Sequence, residues 1–169
     1  MKQLIILMIA VLALSGCQSP PTESKPAASA PSPAPSVEAA QTESEHEHSA
    51  PHGGTLVELG EEFAHLEIVL DAASGKLTAY ALDGEAEKAV RLKQPDIEVA
   101  IKTPAEAIKL GGVANSLTGE TASDTSEFSG QSDKLKGAGK FDGVIKTISI
   151  KGKQFNNVAF NFPKGNEAK

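Results

Sequence analysis

Ala64-His65-Leu66-Glu67-Ile68-Val69-Leu70 decides the fold. Leu66, Ile68 and Leu70 fall on one face and His65 and Glu67 on the other, the two-residue period of a half-buried β-strand. Asp71-Ala72-Ala73-Ser74-Gly75 supplies turn chemistry, and residues 76–82 read as the returning strand. Asp83-Gly84 signals a further hairpin turn, with glycine able to take positive φ at little cost. A short strand is expected near residues 89–92. After Pro95, the alternation of Ile97, Val99 and Ile101 with polar neighbours marks another.

The C-terminal part repeats the style. Residues 144–150, a turn containing Gly152, and residues 158–162 with Val158, Phe160 and Phe162 on one face read as a hairpin. Residues 111–143, rich in Gly, Ser, Thr, Asp and Lys, read as loops with one short strand near Phe128 and a helical turn near Leu135. No long amphipathic helix follows the first residues of the chain. Short strands punctuated by turns predict an all-β fold, a single antiparallel β-sandwich of immunoglobulin-like type over residues 52–164, with 165–169 as a tail.

Upstream of that domain the chain has a different character. Residues 18–50 are mainly Pro, Ala, Ser, Thr and Glu, with Val37 as the single large apolar residue. Such a stretch buries too little surface to offset its ordering entropy, which predicts a disordered linker over residues 17–51. Its Ala-Pro and Ser-Pro steps favour extended polyproline conformation, with a maximum reach on the order of 100 Å at about 3.1 Å per residue.

At the N-terminus, Lys2 precedes an apolar run from Leu4 to Leu14, and Leu14-Ser15-Gly16-Cys17 follows. The run is about half of the roughly 20 residues a spanning helix needs, so residues 1–16 read as a cleaved export signal. Leu-Ser-Gly-Cys resembles the bacterial lipobox. The resemblance implies diacylglycerol on the Cys17 thiol, cleavage before Cys17 and acylation of the new amine. Each buried methylene contributes about 0.8 kcal/mol, so two or more chains hold a protein firmly at a membrane without spanning it. Gln18, rather than Asp, after the cysteine favours an outer membrane facing the periplasm where the host has two membranes.

Cleavage and lipidation would remove Met1 and Met8 and consume the one cysteine, leaving no free sulfur ligand and no internal disulfide. With Lys2 gone, 15 of the 16 basic residues face 22 acidic ones, and the formal charge moves from −6 to −7. That balance excludes nucleic acid as an expected partner and leaves anchoring to the acyl chains rather than to basic residues.

All four histidines lie at or near the junction of linker and domain: His46, His48, His52 and His65. Imidazole and carboxylate suit Zn(II) and Cu(II), and a His-x-His pair in a flexible chain can close on one ion. The pair His46 and His48 would bind weakly, because closing a disordered loop costs entropy. His52, followed by Gly53-Gly54, and the strand pair His65 and Glu67 are the stronger candidates. Residues two apart on a strand point the same way, and with His52 folded over that face three ligands and an open position could converge. The bland alternative is a solvated polar face.

Pro51-His52-Gly53-Gly54-Thr55-Leu56-Val57-Glu58-Leu59-Gly60, Ala64-His65-Leu66-Glu67 and Lys76-Leu77-Thr78-Ala79-Tyr80-Ala81-Leu82-Asp83-Gly84 resemble an uncharacterised family of bacterial exported proteins frequent among planctomycetes. That family combines a His-rich leader, a His-Gly-Gly opening, a His-x-Glu strand and a Tyr-x-Leu-Asp hairpin, and related segments occur in periplasmic adaptor subunits of heavy-metal efflux pumps. Residues 128–162 are similar to its second half. The resemblance implies the β fold and a link between metal and His52 and His65. The leader here departs from longer His runs, holding only His46 and His48.

Two functions are therefore expected. One is a divalent-metal-binding module of the cell envelope, taking Zn(II) or Cu(II) and serving an efflux or uptake system. The other is a non-catalytic structural or interaction lipoprotein. Enzyme activity is not expected: no nucleophile elbow is present, and Gly137-Ala138-Gly139-Lys140 lacks the spacing of a phosphate-binding loop.

Overall fold

The computed structural model describes residues 48–166, which belong to one compact unit, Ser44–Lys169. Cys17, His46, the export signal and nearly all of the expected linker lie outside the described residues. The expected all-β antiparallel fold is what forms. Its strands are β1 (Thr55–Leu59), β2 (Ala64–Asp71), β3 (Lys76–Leu82), β4 (Asp96–Ile101), β5 (Glu106–Gly112), β6 (Glu127–Gln131), β7 (Phe141–Ile150) and β8 (Lys153–Phe162). A 3₁₀ turn, Asp133–Leu135, sits where the helical turn near Leu135 is expected.

The strands hydrogen-bond in one sheet of order β1-β2-β3-β6-β5-β4-β7-β8. Strands β4, β5 and β6 follow one another as neighbours, and each end of that trio crosses to a strand beside its opposite end, so β3-β6-β5-β4 and β6-β5-β4-β7 are both Greek keys. The sheet curls until its two ends approach. The Glu58 amide donates to Asn166 Oδ1 at 2.7 Å, and Asn166 Nδ2 returns a hydrogen bond to the Glu58 carbonyl at 3.1 Å.

One core fills the curl. Val57, Leu66, Ile68, Leu77, Phe128 and Ile145 are fully buried in the same cluster, so residues from both halves of the sheet meet. Full burial of each such side chain contributes roughly 1.5–3 kcal/mol relative to exposure.

Three local expectations are corrected. Residues 89–92 form no continuous strand; Ala89 bridges Leu82 and Leu92 bridges Thr125 as isolated pairs. The polypeptide does turn after β3, but the positive φ falls on Ala86 (55°) rather than on Gly84. Gly84 is required for space instead, since a Cβ there would lie 2.3 Å from the Glu62 carbonyl oxygen. Finally, β5 extends into Gly111-Gly112, at the start of the stretch whose composition predicts loops.

Candidate functional site

Alternation along β2 sends Leu66 and Ile68 into the core and turns His65 and Glu67 to the opposite face. That face is not solvated: both His65 and Glu67 are fully buried. The cover is the segment His48–Gly54, which runs into β1 after crossing the outer side of β2. Gly54 makes the crossing sterically feasible, because a Cβ there would meet the Ile68 carbonyl oxygen at 2.6 Å and Val69 Cγ2 at 2.7 Å.

Glu67 is the point of attachment. Its Oε1 accepts the main-chain N–H of His52 at 2.8 Å and that of Gly54 at 2.8 Å, while Oε2 lies 2.7 Å from His52 Nδ1. A buried carboxylate is costly unless its lone pairs are satisfied, and two main-chain N–H groups and a ring nitrogen meet them here. The His52 ring stacks on Tyr80, with centroids 3.8 Å apart and planes within 9°. Register explains the stack: Tyr80 pairs with Glu67 on one side and Glu127 on the other, so all three share the outer face. Burial, then the negative charges of Glu127 and Glu67, push the Tyr80 hydroxyl above the usual tyrosine range.

His65 occupies the neighbouring row. Its Nδ1 is 3.2 Å from the carbonyl oxygen of Asp83, and the His48 ring lies against it, with centroids 4.6 Å apart at 60°. Asp83 is itself held in place, since its Oδ1 accepts the amides of Glu87 and Lys88. Those amides, the Lys88 one foremost, hold its carboxyl below the usual range. Beside the His52–Tyr80 stack opens a cleft of about 360 Å³, whose walls include Leu82, Arg91, Glu120 and Glu127.

Of the residues singled out in the sequence, His52 and Glu67 are thus in direct contact, and His65 and His48 form a second pair. Glu67 is engaged by two main-chain N–H groups and the His52 ring nitrogen. Among the described residues, no three His, Cys, Asp or Glu side chains form a group suited to one ion. Tyr80 and the Asp83 carbonyl were not singled out as site residues. For Tyr80 the signal was present, because the chain's one tyrosine alternates with Ala79 and Ala81 and so faces away from the core.

No family model, no curated protein and no solved structure matches this chain.

Proposed function

We propose that the protein is a membrane-anchored extracytoplasmic lipoprotein whose β domain captures Zn(II) or Cu(II) through its histidines, serving an efflux or uptake system of the cell envelope. One observation carries the reading: His52 and His65 each set Nδ1 against a buried or fixed oxygen, Glu67 Oε2 and Asp83 O. Metal-ligating histidines characteristically anchor one ring nitrogen on a carboxylate or carbonyl and coordinate through the other. His48 brings a second imidazole to His65.

The donor set favours Cu(II) or Zn(II) over Cu(I), which seeks sulfur. Binding should weaken as pH falls, because protons compete for the imidazole lone pair. Calorimetric titration of the chain from Gln18 onward with each ion tests the reading. His65→Ala should weaken binding far more than His46→Ala with His48→Ala. Absence of heat and of any melting shift at micromolar metal would favour the structural or interaction lipoprotein, for which the saturation of Glu67 by main-chain amides is the supporting observation.

A further inference from the structure

We infer that Glu67 is a positioning residue rather than a metal ligand: it clamps the His48–Gly54 segment onto β2 and fixes His52 as the Nδ1–H tautomer, leaving Nε2 as the nitrogen His52 offers an ion. The clamp is independent of metal; the ligand-positioning half rests on the metal reading above.

The argument for the tautomer is one of hydrogen-bond capacity. An ionised carboxylate only accepts. Oε1 is already occupied by two main-chain N–H groups, and Oε2 sits 2.7 Å from Nδ1, so the hydrogen between them belongs to the ring. A half-turn of the ring about Cβ–Cγ would set carbon Cδ2 in place of Nδ1 against Oε2 and forfeit this contact, so Nδ1 is the nitrogen held on the carboxylate. With a side chain 43% exposed against a carboxylate at 0%, the imidazole is the member of the pair that reaches solvent. For Glu67 to coordinate an ion directly, a fully buried group would have to surrender the bonds that hold His52 and Gly54, opening the cover over β2.

Long-range ¹H–¹⁵N spectra of the full-length protein in detergent micelles, labelled at histidine, read the tautomer directly, with His52 assigned from His52→Ala. The wild type should show a protonated Nδ1 at His52. In Glu67→Gln the amide nitrogen faces Nδ1, so the ring should change to the Nε2–H form and Zn(II) affinity should fall about 10- to 100-fold. A wild-type ring with bare Nδ1, or a changed tautomer with unchanged Zn(II) affinity, overturns the inference. Should the wild type take up no Zn(II) while the tautomer behaves as stated, the metal reading fails and the clamp stands. If Glu67→Gln does not fold, amide exchange at Gly54 decides: His52→Ala should speed it at least about tenfold, since the segment opens locally more often, and an unchanged rate overturns the clamp.

Discussion

Glu67 and His52 meet at 2.7 Å across fifteen residues of chain, a fully buried carboxylate against an imidazole 43% exposed. The contact joins the first described residues of the domain to the middle of β2. It turns what would have been a polar outer face into a covered one.

Removing the carboxylate should loosen that cover. Glu67→Ala strands the amides of His52 and Gly54 and the imidazole, and hydrogen bonds to charged groups contribute about 1.5–3 kcal/mol each. Urea unfolding should show a loss of roughly 2–3 kcal/mol after relaxation of the segment. A loss below about 0.5 kcal/mol, the range of an ordinary surface change, would mean the cover does not depend on Glu67.

Gly54→Ala tests the fit of the segment against β2. With its Cβ 2.6 Å from a main-chain oxygen, the segment must shift, at a cost of about 1–3 kcal/mol. Gly53→Ala meets nothing but sits at φ 71°, so it should cost only about 1 kcal/mol from backbone conformation. Equal melting shifts for the two variants would contradict the close approach.

Tyr80 is the one tyrosine, and the chain has no tryptophan, so absorbance near 295 nm reports this residue alone. Its titration midpoint should lie above 10, the ordinary tyrosine value. The sign for stability follows. A folded value raised above the unfolded one gives stability fully present below the unfolded value, lost as pH rises through the folded value. Tyr80→Phe should remove that alkaline loss. A midpoint at or below 10 would remove its basis.

Anchoring has a direct test. Cys17→Ala should abolish incorporation of labelled palmitate and leave the precursor uncut before residue 17. Labelling that persists in the variant would rule out Cys17 as the acylated residue.

Strands β2, β4, β7 and β8 were legible because large apolar residues recur on one face, and β3 was legible from the turn sequences Asp71–Gly75 and Asp83-Gly84 that bound it. β1 and β5 were not. Thr55–Leu59 is short, and Glu106–Gly112 has only Ile108 and Leu110 as large apolar residues before two glycines. Such a strand is set by its neighbours β4 and β6 more than by its own pattern. At the site, the shared direction of His65 and Glu67 could be read from spacing, and the approach of His52 from its glycines. Burial could not, since it depends on the segment His48–Gly54 lying across the strand. Nor could the part played by Glu67, which emerges only when two main-chain amides arrive at the carboxylate from a segment thirteen to fifteen residues away in sequence.

The position of the Glu67 clamp also sets how the domain bears load. Tension applied to the chain ahead of His48 reaches His52 and Gly54 before it reaches the first rung of β1, Thr55 against Ile68. Three hydrogen bonds converging on one carboxylate resist together, whereas the rungs of an edge strand can be peeled one at a time. A pull that leaves the clamp intact passes through Glu67 into β2 and spares the rungs between β1 and β2. Once the clamp gives, β1 is held by its pairing with β2 and by Asn166, and unzipping begins at the end of the molecule nearest the pull.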